Sequence, residues 1–207
     1  MNPSPRQGRG WWAVTVVAAL GGLAAAPVPG RAQAAARRFT VDTASSSVRF
    51  DGHATMGAFS ATTRTLSGWA ELGDLAHLTS GRGLVEVRAA TFQTGIGLRD
   101  RHLRGELDTD RYPTITLNVA RVLPASTAAA SGDPVVLEGS FTVKGTAHAV
   151  RWPAMAALLR GDTLVVTGST PMRFTELGMK PPTRMLVTHV QDEFVLVYDI
   201  HFAPARP

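Results

Sequence analysis

Residues 137–150 read LEGSFTVKGTAHAV, and the first eight of them alternate strictly in character. Leu137, Gly139, Phe141 and Val143 fall on one side, and Glu138, Ser140, Thr142 and Lys144 on the other. A period of two marks a β-strand with one apolar and one wet face. The pattern repeats upstream, where Ile115, Leu117 and Val119 oppose Thr116, Asn118 and Ala120. Near the end of the chain Phe194, Leu196, Tyr198, Ile200 and Phe202 share a face. Val195 and Val197 lie opposite them, which predicts a strand covered on both sides.

Working outward, segments rich in Val, Thr, Phe and Leu recur at 39–41, 47–50, 68–72, 84–90, 115–122, 135–143, 149–152, 155–159, 164–170 and 193–202. Turn-forming clusters separate them, among them Leu72-Gly73-Asp74, Ser80-Gly81-Arg82-Gly83 and Ser131-Gly132-Asp133-Pro134. The fold class is therefore all-β and antiparallel, and about eight such strands in succession remove their exposed edges by closing into a barrel. Two stretches depart from the pattern. Residues 98–106, LRDRHLRGE, predict a short surface helix, and 124–132, PASTAAASG, a loop. Asp108 and Asp110 flank a turn as capping groups.

The N-terminus has a different character. Arg6 and Arg9 precede the 16-residue apolar run Trp11–Ala26, and Ala32-Gln33-Ala34 follows Pro27 and Pro29. This order predicts a signal peptide over residues 1–34 and one domain over 35–207, periplasmic or secreted, without a stable membrane anchor after cleavage. The chain has no cysteine, which excludes disulfides, thiolate metal sites and a lipid-bearing cysteine. Its net charge of +5 includes Arg6, Arg9 and Arg31; without residues 1–34, 18 basic and 16 acidic residues remain. No basic run is interleaved with aromatics and no polybasic patch is evident, so neither nucleic acid nor simple charge adhesion to a membrane is expected.

Catalytic patterns are missing. The sequence has no G-x-S-x-G elbow, no dinucleotide or phosphate loop, and no pair among its six histidines at metal-ligand spacing. The expectation is a binding protein with no catalytic residues, no metal and no cofactor. The densest polar cluster is Arg99-Asp100-Arg101-His102-Leu103-Arg104. Asp100 could pair with a neighbouring arginine on an exposed helix while Leu103 pins that helix over a barrel opening. Alternatively, the cluster could grip an anionic head group.

At this cluster the chain resembles a known family. AATFQTGIGLRDRHLR at 89–104 and RYPTI at 111–115, with FTVDTASSSVRF at 39–50, LEGSFTVKGTAHAV at 137–150 and FTELGM at 174–179, resemble the YceI-like family of bacterial, polyisoprenoid-binding, lipocalin-like proteins over 39–202. Leu107 stands where the family usually carries aromatics. The resemblance implies an eight-stranded antiparallel lipocalin-like barrel, one short helix, and an elongated apolar tunnel for an isoprenoid-like lipid or other amphiphile. On that implication Phe50, Phe59, Trp69, Phe92, Leu117, Phe141, Trp152 and Phe174 face inward as ligand-binding residues, with Arg99 and His102 near the mouth. Two other readings stand beside the carrier. One is a protein–protein module of envelope stress with a filled barrel. The other is an enzyme acting on a lipid at the mouth through Asp100 and His102. A homodimer is compatible with all three.

Overall fold

The structure, a computed structural model, describes residues 36–205 apart from 56, 126–131, 161, 182 and 185–187. The expected signal peptide lies outside the described residues, as does most of the expected loop at 124–132. The strands are β1 (Arg37–Val41), β2 (Ser47–Ala54), β3 (Gly57–Thr63), β4 (Leu66–Leu72), β5 (Gly81–Arg88), β6 (Thr114–Pro124), β7 (Asp133–Val143), β8 (Thr146–Leu159), β9 (Thr163–Arg173), the two-residue β10 (Thr183–Arg184) and β11 (Thr188–Pro204). The one α-helix among the described residues, α1 (Gly97–Leu107), joins β5 to β6 and extends the expected span by one residue at each end.

These strands form eight antiparallel staves. β1 and β2 both run against β11, with Phe39 opposite Pro204 and Ser47 opposite Asp199, so they are one stave broken at 42–46. β3 and β4 make the next, pairing with β2 and β1 respectively. β5, β6, β7, β8, β9 and β11 follow in order, and β11 returns to the first stave, closing the barrel. Ser46 seals the break in the first stave. Its fully buried hydroxyl donates to Asp42 O at 2.7 Å and accepts from the His201 amide at 2.9 Å, taking over groups the ladder leaves unpaired.

The β7–β8 hairpin is the opening motif folded. Lys144 (φ 48°) and Gly145 (φ 74°) form its two-residue turn, the left-handed pair that matches strand twist. Tyr112 packs so close that a Cβ at Gly145 would lie 2.6 Å from its ring. Lys144 Nζ donates to Glu106 O at 2.9 Å, a cation on the carbonyl end of α1 that ties the helix to the hairpin. Asp108 ends α1 in the left-handed conformation (φ 50°). In α1, Leu103 packs against the core and Leu107 is buried in it.

Sequence and structure part at three places. β3, with sequence GAFSATT, is a strand the apolar pattern does not reveal, because Phe59 is its one large apolar residue. The segments 149–152 and 155–159 are one strand, β8, continuous through Pro153. The outer face of β11 is not covered: Val195 is 36% exposed, whereas Phe194, Leu196, Tyr198, Ile200 and Phe202 are all buried. The closed wall holds the core on one side only, so β11 has one dry face and one open to water.

Pro153 has a consequence for the wall. β8 pairs with β9 only from Met155–Thr167 to Leu159–Thr163; beyond that the ladder stops, although both strands continue. A strand residue aims its N–H and C=O at the same neighbour. The Pro153 carbonyl accepts the Tyr198 hydroxyl at 2.9 Å, reaching from β11 past β9, so the absent N–H is also on the β9 side. A missing donor ends the ladder, and a tyrosine takes up the freed carbonyl. Gly168, opposite Tyr198 in β9, leaves the space through which the ring passes.

Candidate functional site

The barrel interior is hollow. A cavity of about 600 Å³ runs between the staves, a size suited to one slender ligand. On β6, Ile115, Leu117, Val119 and Val122 all line it. At about 3.3 Å per residue, that is roughly 23 Å measured along the strand. These residues are only half-buried although they face inward, because their free surface is the cavity wall. Val135, Leu164 and Phe202, all buried, line it too.

Gly57, Ala58, Ile96, Leu98 and Arg99 are exposed and also line the cavity. They place its mouth between the β2–β3 turn and the first turn of α1. Just inside, rings cluster around Phe50, whose centroid is 6.2 Å from Phe59, 5.4 Å from Phe92 and 6.2 Å from Phe194; Phe174 packs on Phe194 at 4.6 Å. A second group joins Phe141 to Trp152 at 5.1 Å and Trp152 to Tyr198 at 6.1 Å, stacked within 28°. Tyr198 donates to Pro153 and is deeply buried, which pushes its hydroxyl above the ordinary tyrosine range. It is a group of the cavity wall.

Polar side chains gather at the mouth, where Thr94, Arg99, His102 and Glu106 line the cavity. The Arg99 guanidinium lies over the Phe59 ring, 5.7 Å from its centroid. Asp100, however, is engaged elsewhere. Its carboxylate accepts from the Thr94 amide at 2.7 Å and from Thr94 Oγ1 at 2.6 Å, closing the loop that leads into α1. The expected pairing with a neighbouring arginine is replaced by this loop closure: those shorter bonds outrank the charges of Arg104 and Arg99. Asp192 of β11 holds Thr175, just after β9, in the same way, at 2.9 Å from its amide and 2.6 Å from Oγ1.

Both pairs give a pH dependence of definite sign. The Thr94 hydroxyl and amide hold Asp100 below its ordinary pKa of 3.8, and Thr175 does the same for Asp192. A carboxylate with a lowered folded pKa contributes stability that is fully present above the ordinary value and lost as pH falls through the lowered one. Acidification from about pH 6 to about pH 2.5 should therefore shift the Thr94 and Thr175 amide resonances together as both loops loosen. In Asp100→Asn the Thr94 amide should no longer titrate, and a wild-type Thr94 amide that stays fixed over this range would contradict the assignment.

Of the expected binding residues, Phe50, Phe59, Phe92, Leu117, Phe141, Trp152 and Phe174 line the cavity, as do Arg99 and His102 at its mouth. Trp69 does not. It pairs with Thr40 on the outer face of the wall, under the Arg38 guanidinium at 4.5 Å. Leu66, Ala70 and Leu72 of the same strand are buried, so alternation turns Trp69 outward whatever its size. Ile96, Leu98, Leu103, Phe194, Tyr198 and Ile200 also line the cavity. The last three were legible as one apolar face, but nothing in the sequence separates cavity wall from packed core. Among the described residues no three His, Asp or Glu side chains gather as a metal cage, and no helix is long and apolar enough to cross a membrane.

Comparison with known proteins agrees with this geometry. The crystal structure of Burkholderia cenocepacia BcnA is similar with a TM-score of 0.67 at 21% identity, over 78% of this chain and 98% of that one. A polyisoprenoid binding domain from Saccharophagus degradans, implicated in plant cell wall breakdown, is similar with a TM-score of 0.57 at 13% identity, over 81% and 98%. At these identities the likeness is one of fold. No curated protein matches the chain. A family model, that of the YceI-like domain, matches residues 39–202, the span from the first stave to the last. The chain belongs to the YceI-like family.

Proposed function

We propose that this protein carries one amphiphile with a long apolar tail, of the polyisoprenoid or isoprenoid-quinone class, after export to the periplasm or beyond. The tail lies in the cavity and the head group sits at the mouth beside Thr94, Arg99 and His102. The observation that carries this reading is the cavity itself, about 600 Å³, walled mainly by apolar side chains, with Thr94, Arg99, His102 and Glu106 gathered toward its α1 end. Each methylene withdrawn from water contributes about 0.8 kcal/mol, so a tail needs no polar partner to bind tightly. The Saccharophagus degradans domain of similar fold is described as polyisoprenoid binding, which supports the class of ligand. Export is supported by the pattern of residues 1–34.

Carriage accounts for the interior better than either alternative. An interaction module with a filled barrel has no use for the empty volume. An enzyme working through Asp100 would need a carboxylate free to face its substrate, and Asp100 is bound to Thr94. The test is native mass spectrometry of protein purified without detergent, followed by solvent extraction. A co-purifying polyprenyl or quinone mass is expected. A ligand-free mass that persists after incubation with such lipids would overturn the carrier reading.

A further inference from the structure

The mouth of the cavity carries a feature that ligand binding does not require. Ile96 is 51% exposed and Leu98 61%, the two most exposed large apolar side chains among the described residues. Both also line the cavity, so apolar surface is continuous from the interior to the outside of the first turn of α1. Two exposed arginines, Arg99 and Arg101, flank them, and neither forms an ion pair among the described residues. The nearest acid, Asp100, is occupied by Thr94. Across the mouth, Gly57 and Ala58, exposed small residues without charge, line the cavity.

We propose that this rim docks the protein on an anionic lipid bilayer, with Ile96 and Leu98 entering the headgroup boundary and Arg99 and Arg101 meeting lipid phosphates. Exposed apolar side chains beside unpaired cations are the chemistry by which a surface element binds such an interface. Net charge near balance does not oppose this, because the charges that matter lie within a screening length of the rim. The position gives docking a purpose, one that rests on the carrier reading: a tail could pass between bilayer and cavity along Leu98 and Ile96 without crossing water. The surface itself can be tested with no cargo present.

The absence of cysteine makes the test direct. The full chain carrying Leu98→Cys, labelled with an environment-sensitive fluorophore, is mixed with vesicles of phosphatidylglycerol and phosphatidylcholine. The expected result is a blue shift, quenched by lipids brominated in their acyl chains and weakened by about 0.5 M salt. A label at Ser67→Cys, on the outer wall, should not shift. Arg101→Glu should weaken vesicle binding about tenfold while leaving polyprenyl affinity in solution unchanged, since Arg101 does not line the cavity. No shift at the Leu98→Cys label, or an equal shift at the Ser67→Cys label, overturns the docking proposal. A normal shift in a protein that takes up no lipid in solution supports docking and counts against carriage instead.

Discussion

Gly168→Ala is expected to destabilise the barrel by about 3 kcal/mol, the upper part of the range for overpacking a filled site. A Cβ at this position would overlap the Tyr198 hydroxyl and ring, coming within 2.7 Å of Cε2. The ring cannot swing aside cheaply, because it stacks on Trp152 and donates to Pro153. Urea unfolding of the parent and five variants, the three single substitutions and the two pairs, separates the causes. Tyr198→Phe alone should cost about 1 kcal/mol, the worth of one hydrogen bond. Combined with Gly168→Ala it should rescue only part of the loss, since the hydroxyl's overlap is gone but the ring's remains. Tyr198→Leu combined with Gly168→Ala should be markedly less destabilised than the sum of the single variants, because the shorter side chain removes the overlap. A Gly168→Ala protein within about 0.5 kcal/mol of the parent would show that the ring does not fill this gap.

The second large effect concerns binding. Val119→Trp is expected to lower affinity for a long polyprenyl chain by roughly a hundredfold while leaving the barrel folded. Val119 stands midway along the lining of β6, and its register neighbours on both sides, Gly83 and Gly139, have no side chains. An indole there has lateral room and projects into the cavity. Denying the tail about four methylenes of burial removes about 3 kcal/mol, which is the hundredfold. Titration with a fluorescent polyprenyl analogue reads the loss directly, and a shorter analogue that stops before Val119 should bind both proteins alike. Equal affinity of the long analogue for both would mean that the tail does not run past Val119.

The sequence revealed the wall more readily than the function of its interior. Strict alternation in β6, β7 and β11 predicts which side chains face inward, and every one named on β11 is buried. Trp69 shows how that rule can be set aside wrongly. Its own strand alternates with Leu66, Ala70 and Leu72 inward, yet the family resemblance put it among the inward-facing residues. Large apolar residues on the surface are ordinary, and parity was the better guide. Pro153 falls in the gap between the expected segments 149–152 and 155–159, and proline is avoided inside sheets. It ended one ladder of the two β8 makes, a distinction that only neighbours in space can draw. Whether the inward faces meet or leave a hollow depends on how the eight staves close, and no single strand carries that information. Asp100 was conspicuous in sequence for its arginine neighbours, but a threonine six residues upstream took it.

The unfinished ladder between β8 and β9 also bears on how this protein behaves in a crowd. A closed barrel normally has no free edges, but here two short ones face each other, β8 from Thr146 to Ala154 and β9 beyond Thr167. Unpaired strand edges recruit strands from other molecules and so begin aggregates. Each of these edges contains a proline, Pro153 and Pro171, which has no N–H to offer an incoming strand. The Pro153 carbonyl is further occupied by the Tyr198 hydroxyl from within. The tyrosine that spans the gap thus keeps a foreign strand from completing it.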